Sequence, residues 1–166
     1  MKEESGAWLE RAMADHEAAL FRLCFVFLGD AALAEDAVQE TFVKAYRGYD
    51  RYAGASEEKT WLTRIAINTC KDMRRGAWFR HIDRSMALDS LPEGSIPFTE
   101  RDDTLTRAVM ALKPRLREVV LLHDWQGLTA EATAEALGIA RSTMYNRLDK
   151  AHRLLKKELE AWYRDR

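Results

Sequence analysis

The chain has 166 residues, enough for one ordinary domain or two small ones, and 47% of them are hydrophobic, which supports a folded core. Charged residues make up 32%, and there are only 8 glycines and 3 prolines, a balance typical of a soluble, helix-rich protein. The most apolar run, residues 18–28, contains Arg22 and is too short to span a bilayer, which excludes a membrane-spanning helix there.

The net charge is only −1, but the charges are unevenly distributed along the chain. Residues 1–58 carry 6 basic and 12 acidic side chains, whereas residues 59–84 carry 7 basic and 2 acidic ones. Residues 85–112 are acidic again, with 2 basic and 5 acidic side chains, and residues 113–166 are basic, with 11 and 8. Basic blocks can meet phosphates, and the acidic N-terminal block favours a basic protein surface as partner.

The sequence contains no pattern typical of an enzyme or a metal site. It has no phosphate-binding glycine loop, and its four histidines show no ligand spacing, so we expect no metal, cofactor, catalytic residue or small-molecule substrate. Cys24 and Cys70 lie far apart in apolar helical patterns, which predicts buried free thiols in a reducing cytoplasm. The charged N-terminus does not resemble a signal peptide.

Helical periodicity predicts three helices in the first half of the chain, at Trp8–Leu28, Ala32–Gly48 and Glu57–Arg75. Gly29 separates the first two, and the loop Tyr49–Ser56 separates the second and third. Ser56 is the expected N-cap of the third helix, and Gly76 is expected to end it.

Each of the second and third helices has an apolar and a polar stripe. The second helix carries the apolar residues Ala34, Ala37, Val38, Thr41, Phe42 and Ala45 opposite the polar residues Glu35, Asp36, Gln39, Glu40 and Lys44. The third helix carries Trp61, Leu62, Ile65, Ala66, Thr69 and Met73 opposite Arg64, Asn68, Lys71 and Arg75. Asparagine is a poor helix former, but it can present a donor and an acceptor to a base. Among nearby aromatic residues, Tyr52 in the loop is the expected base contact, whereas Trp61 is expected in the core.

Periodicity is lost across residues 78–101, which contain Pro92, Gly94 and Pro97. Further helices are expected at Asp103–Leu112, Pro114–Trp125, Ala130–Ala136 and Ala140–Tyr163, with Thr129 capping the short third one. The predicted fold is therefore all-α, with two small helical domains, residues 1–77 and 103–166, joined by a flexible linker, residues 78–102.

The segment Leu128–Ala151 reads as helix, glycine-containing turn and helix. In the second of these helices, Met144, Leu148, Ala151 and Leu155 form one apolar stripe, and hydrogen-bonding side chains occupy the other side. This pattern favours a helix-turn-helix whose last helix enters the major groove of DNA. The expected DNA contacts are Arg141, Ser142, Thr143, Tyr145, Asn146, Arg147 and Lys150.

Both halves of the sequence resemble one family. Residues 34–46, AEDAVQETFVKAY, are similar to region 2.2 of sigma-70-type initiation factors, and residues 59–68, KTWLTRIAIN, to regions 2.3 and 2.4. Residues 112–122, LKPRLREVVLL, and 137–139, LGI, resemble region 4. The order, spacing and length match the extracytoplasmic-function (ECF) subfamily. Glu58, just before the second motif, is a departure, because many relatives carry an apolar residue there; Ala53 and Thr133 are others.

The resemblance implies a promoter-specificity subunit of bacterial RNA polymerase. It implies that Asp36, Gln39, Glu40 and Phe42 dock on the β′ clamp coiled coil and that the last helix reads the −35 element. The residues it places at the −10 element are Arg51, Tyr52, Ser56, Arg64, Asn68, Lys71, Arg74 and Arg75. Other implied partners are the β flap and an anti-sigma factor. A membrane-anchored anti-sigma factor would hold this chain at the membrane, and the chain itself would not insert into the bilayer.

Two other hypotheses remain open at the level of sequence. A helix-turn-helix regulator would bind its operator without core polymerase, usually as a dimer on half-sites one helical turn apart. A helical interaction protein would make no sequence-specific contact with DNA. Dependence on core polymerase separates the first of these hypotheses from an initiation factor.

Overall fold

The computed structural model describes residues 2–75 and 100–165, and every regular element in these ranges is helical. The helices are α1 (Lys2–Leu28), α2 (Ala31–Tyr52), α3 (Glu58–Arg74), α4 (Glu100–Ala111), α5 (Pro114–Val119), α6 (Ala130–Leu137) and α7 (Arg141–Arg164). They fall into two compact units, α1 to α3 and α4 to α7. The all-α class with two small helical units is confirmed.

The end of α1 forms the centre of the first unit. Leu23, Phe25, Phe27 and Leu28 are at most 1% exposed, and every residue from 23 to 29 is buried. Since α2 and α3 both pack against this end of α1, residues 23–28 are apolar on every side of the helix, whereas Ala18 and Ala19 at the start of the apolar run are exposed. In the described part of the chain, no helix combines the length and apolarity needed to cross a membrane.

Helix α2 begins as its sequence suggests but ends later. The Asp30 side chain accepts a hydrogen bond of 2.8 Å from the backbone N–H of Leu33, a normal N-cap. All six residues of the predicted apolar stripe are buried. The helix continues past Gly48 to Tyr52, so the first half of the predicted loop is helical. Glycine costs a helix about 1 kcal/mol, and aromatic contacts made by Tyr49 and Tyr52 offset that loss.

Helix α3 does not use its predicted cap. Its N-cap residue is Glu57, without a side-chain hydrogen bond, and Ser56 instead accepts a hydrogen bond from the Tyr52 hydroxyl through its backbone carbonyl. The prediction that Ser56 is the N-cap is therefore wrong, because Tyr52 fixes the backbone before the helix. Cys24 and Cys70 are free and fully buried, as predicted. Gly76 lies outside the described residues.

The second unit begins earlier than expected. Helix α4 starts at Glu100, so the predicted linker cannot extend to residue 102, and residues 76–99 lie outside the described part of the chain. The buried Arg117 guanidinium of α5 donates hydrogen bonds of 2.6 and 2.9 Å to the carbonyls of Met110 and Leu112. These bonds satisfy carbonyls at the end of α4 that have no partner within their own helix.

A π-helical segment, Val120–Trp125, continues α5 directly. The backbone N–H of Gln126 bonds to the carbonyl of Leu121 at 3.0 Å, five residues back. The sequence predicted one ordinary helix over Pro114–Trp125. The wider turn adds a residue without breaking the helix, and periodicity does not distinguish the two forms.

We expect Gly138→Ala to lower the free energy of unfolding of the second unit by about 1–2 kcal/mol. Gly138 ends α6 with φ +65, and no atom lies within 4 Å of an added Cβ, so the effect is one of backbone conformation alone. Gly6→Ala is the matched control, because Gly6 lies inside α1 and also has open space around its Cβ position. It should instead raise stability by about 0.5–1 kcal/mol. Thermal unfolding of both variants checks this, and equal effects would contradict it.

Candidate nucleic-acid interface

Helices α6 and α7 form a helix-turn-helix. Thr129 caps α6 through a bond of 3.1 Å from the N–H of Ala132, as predicted. Gly138 then takes the left-handed conformation, and the N–H of Ile139 bonds back to the carbonyl of Ala134 at 3.0 Å. The predicted stripe of α7 (Met144, Leu148, Ala151 and Leu155) is buried. The turn and this stripe fix the side of α7 that faces solvent.

Seven predicted DNA contacts share the outer side and first three turns of α7. Arg141, Ser142, Tyr145, Asn146 and Lys150 are exposed, whereas Thr143 and Arg147 are half-buried. Arg141 lies 3.0 Å from the Glu131 carboxylate, an exposed ion pair that a DNA phosphate can replace. The amide of Asn146 and the hydroxyl of Tyr145 can meet base edges, and the arginines can meet phosphates.

An open cavity of about 370 Å³ lies between α2 and α3 in the first unit. Its walls combine cations, aromatic rings and an amide, from Lys44, Gly48, Arg51, Tyr52, Trp61, Ile65 and Asn68. The rings of Tyr52 and Trp61 stack with centroids 4.2 Å apart. Burial raises the pKa of Tyr52, and the negative charges of Glu58 and Glu57 raise it further, so its hydroxyl keeps its proton.

Three predicted −10 residues, Arg51, Tyr52 and Asn68, line the cavity, and the other predicted −10 residues do not. Trp61 was expected in the core, but it is half-buried and forms a wall, because α3 is rotated so that Thr63, Ile67 and Cys70 also face inward. Lys44 and Ile65 also line the cavity, although the sequence placed Lys44 only on the polar stripe of α2 and Ile65 only on the apolar stripe of α3. Their joint placement depends on how α2 packs against α3.

The remaining predicted −10 residues have other positions. The Arg74 guanidinium lies 4.8 Å from the centre of the Phe27 ring of α1, so it packs on the first unit away from the cavity. Arg75 is exposed and lies 3.4 Å from the Asp72 carboxylate. Arg64 and Lys71 are half-buried on α3. None of these residues lines the cavity.

The Glu58 carboxylate joins the first turn of α3 to α1. One oxygen, Oε2, accepts hydrogen bonds from Trp8 Nε1 at 2.7 Å and from the Arg11 guanidinium at 3.2 Å. The other, Oε1, lies 3.0 Å from His16 Nε2. Burial alone would raise the pKa of Glu58. The hydrogen bonds from Trp8 and His16 and the charge of Arg11 outweigh burial, so the pKa lies below its ordinary value.

Acidification should weaken the first unit through Glu58. Because the pKa of Glu58 in the folded chain lies below the ordinary value of 4.5, the unfolded chain binds this proton more tightly. The stability that the carboxylate contributes is complete above pH 4.5 and is lost as the pH falls through the lowered pKa. Chemical denaturation at stepped pH should therefore show a steeper loss in the wild type than in Glu58→Gln. Parallel profiles for the two proteins would contradict this prediction.

A second, apolar groove of about 530 Å³ runs between α1 and α2. Gln39 and Phe42, two of the four predicted polymerase-binding residues, line it, and Phe42 is only 4% exposed. Asp36 and Glu40 are exposed on α2 outside the groove. Met13, Val43 and Tyr46 also line the groove but were not predicted from the sequence. They are large apolar residues that remain 37–42% exposed. For Val43 and Tyr46, the sequence does contain a signal: they are apolar residues that lie outside the buried stripe of α2, which predicts their exposure.

The other described histidines form a small surface cluster in the second unit. Asp124 of the π-helical segment lies 2.9 Å from His123 Nδ1 and 2.5 Å from His152 Nε2 of α7. Within residues 2–75 and 100–165, no group of three or more histidine, cysteine or acidic side chains has the geometry of a metal site.

An aromatic pocket in one helical unit and a helix-turn-helix in the other define a helical DNA-binding class of protein. Family profiles match both units: Sigma-70 region 2 over residues 12–80 and Sigma-70, region 4 over residues 102–155. The chain is 35% identical over 161 residues to the ECF RNA polymerase sigma factor SigL of Mycobacterium tuberculosis, covering 93% of this chain and 90% of that protein. It is 31% identical over 153 residues to the RNA polymerase sigma-H factor of Pseudomonas aeruginosa, covering 84% and 79%.

The chain therefore belongs to the ECF RNA polymerase sigma factors, as the sequence motifs predicted. The fold agrees with the solved structure of the sigma factor RpoE in complex with the anti-sigma factor NepR from Bartonella quintana. That comparison has a TM-score of 0.70 at 24% identity and covers 91% of this chain and 96% of the other. The alternative of a regulator that acts without polymerase is not favoured.

Proposed function

We propose that this chain binds bacterial core RNA polymerase and directs it to promoters, with the α2–α3 cavity holding an unpaired base of the −10 element. The observation that carries this proposal is the cavity itself. It is open to solvent, and it joins stacked aromatic rings to an exposed amide and two cations. Among the described residues, no carboxylate, histidine or cysteine lines it, and we propose a binding function without enzymatic activity.

The cavity suits a base that has left the duplex. Stacking on an aromatic ring is worth about 1–3 kcal/mol per base and can offset the few kcal/mol needed to unpair it. Asn68 can donate to and accept from a base edge. Lys44 and Arg51 can meet the phosphates beside that base. The proposed −10 site therefore consists of Lys44, Arg51, Tyr52, Trp61 and Asn68. Ser56, Arg64, Lys71 and Arg75 are proposed to extend contacts along the strand.

The exposed side of α7 is proposed to read the −35 element. Its first turn presents Ser142 and Thr143 to phosphate, where helix N–H groups attract anions. Tyr145, Asn146 and Lys150 then reach base edges, while Arg141 and Arg147 contact the backbone. Each well-placed bidentate contact to a base contributes about 1–3 kcal/mol of discrimination.

The polymerase is proposed to bind the first unit along α2. The exposed acidic residues Asp36 and Glu40 fit a basic surface, and the adjoining apolar groove can bury a hydrophobic anchor. We propose the β′ clamp coiled coil for this surface and the β flap for the second unit. We propose that an anti-sigma factor covers the same surfaces in the cytoplasm. If that anti-sigma factor is anchored in the membrane, it would hold this chain at the membrane surface. The proposed domains are residues 1–77 and, with its start moved to the first residue of α4, residues 100–166, joined by a linker.

Run-off transcription with purified core polymerase on fragmented genomic DNA from the source tests this function. We expect new, discrete start sites that require the protein and that disappear with Asn68→Ala. Lys59→Ala is the matched control, because Lys59 is exposed on the same helix but does not line the cavity. For the −35 element, Lys150→Ala should reduce initiation, whereas Lys156→Ala on the same helix should not. Specific binding to duplex DNA without any new transcript would overturn the proposal.

A further inference from the structure

Glu58 does not line the cavity. Its carboxylate is at the start of α3, while its three partners, Trp8, Arg11 and His16, all come from α1. Its side chain is 24% exposed, so water competes only partly for these bonds. A negative charge in the first turn is also favoured by the helix dipole of α3. The carboxylate therefore fixes the distance between α1 and the first turn of α3.

A continuous path of ring contacts joins this carboxylate to the cavity wall. Trp8, held through its indole N–H, lies with its ring 5.9 Å from that of Trp61. Trp8 also stacks on Tyr49 at 4.5 Å, so its ring is held on two sides. Trp61 in turn stacks on Tyr52, and these two rings form the aromatic wall of the cavity. A shift of the Trp8 indole must therefore move Trp61 or open a gap beside it.

We propose that Glu58 is a positioning residue for base capture: it holds the Trp8 indole, and Trp8 sets the place of Trp61 against an unpaired base. This inference rests on the proposed function of the cavity. Glu58 itself touches no DNA. It acts through one hydrogen-bonded indole, so an acceptor at this position is required and a charge is required less strictly.

The test uses holoenzyme made from core polymerase and each variant, on a promoter mapped by the run-off experiment. One template is fully duplex and the other carries a mismatched bubble across the −10 element. Glu58→Leu should reduce binding to the bubble template about tenfold, as expected for loss of a bond to a charged group. Glu58→Gln keeps an acceptor for Trp8 and should restore most of the binding. Permanganate reactivity of unpaired −10 thymines should follow the same order.

Two further variants separate positioning from simple loss of stability. Trp8→Phe removes the donor but keeps an aromatic ring, and it should match Glu58→Leu, with no added loss when the two are combined. Arg11→Ala removes an exposed ion-pair partner and should leave base capture unchanged. All binding is measured well below each variant's melting temperature and normalised to the holoenzyme formed.

The outcomes distinguish this inference from the proposed function. If the wild type starts no transcription, the proposed function fails. If the wild type initiates transcription and the Glu58→Leu holoenzyme binds the bubble template as tightly as the wild-type holoenzyme, the positioning role is overturned. Additive losses in the double variant, or equal losses for Leu and Gln, would also overturn it, because the effect would then not pass through the Trp8 hydrogen bond.

Discussion

Val43→Asp is expected to reduce the affinity for core RNA polymerase by roughly 30-fold to 1,000-fold, the range of an interface hot spot of about 2–4 kcal/mol. Val43 is 42% exposed at the edge of the α1–α2 groove, so the folded chain tolerates the carboxylate. A polymerase surface seated in the groove would have to bury that charge without a partner. Competition between variant and wild-type protein for a limiting amount of core polymerase measures the loss.

Ala19→Asp is the matched control for this experiment. Ala19 is exposed on α1, one of the two helices that form the groove, but it does not line it. The new carboxylate therefore stays in water when the groove is covered, and we expect wild-type affinity for core polymerase. If Val43→Asp competed as well as Ala19→Asp, the groove would not be part of the polymerase interface. The exposed acidic residues of α2 would then have to account for binding alone.

The second large effect is expected at two neighbouring residues with opposite roles. Leu62 is fully buried, and Leu62→Ala should lower the free energy of unfolding of the first unit by about 2–5 kcal/mol. Trp61→Ala should cost less stability, because Trp61 is half-buried. It should lower base capture by about 5-fold to 150-fold, through loss of about 1–3 kcal/mol of stacking. Denaturation and bubble-template binding, each measured on both variants, check the pair.

The diagnostic result is that each variant has its larger effect in a different assay: Leu62→Ala in denaturation and Trp61→Ala in binding to the bubble template. Leu62→Ala molecules that remain folded should capture the bubble template as the wild type does, since Leu62 does not line the cavity. Trp61→Ala should fail on the bubble template even under conditions where it is fully folded. Equal behaviour of the two variants in the binding assay would mean that Trp61 is a core residue and not a wall of the base site.

Periodicity was sufficient to predict the elements whose burial is decided within one helix. The buried stripes of α2 and α7 follow directly from apolar spacing, and the Thr129 cap and the Gly138 turn follow from local chemistry. These features need no knowledge of which helices pack together. The helix-turn-helix and its exposed side could therefore be predicted from sequence in some detail.

Features that depend on distant contacts could not be predicted in this way. The late end of α2 depends on aromatic packing against Trp8 and Trp61, and the contacts of Glu58 join residues 42 to 50 positions apart. Glu58 was visible in the sequence only as a departure from the family motif. The cavity requires the packing angle between α2 and α3, which explains why Lys44 and Trp61 were not assigned to it.

The buried thiols give this chain a built-in reporter for motion of one unit alone. Cys24 and Cys70 are the chain's two cysteines, and both lie in the core of the first unit. The hydrogen bond with Cys24, together with burial, raises the pKa of Cys70 well above its usual value, so a thiol reagent meets little thiolate at Cys70 in the closed state. Alkylation must wait for α1 and α3 to separate. The labelling rate of the intact protein therefore measures the opening free energy of the first unit, without interference from the helix-turn-helix.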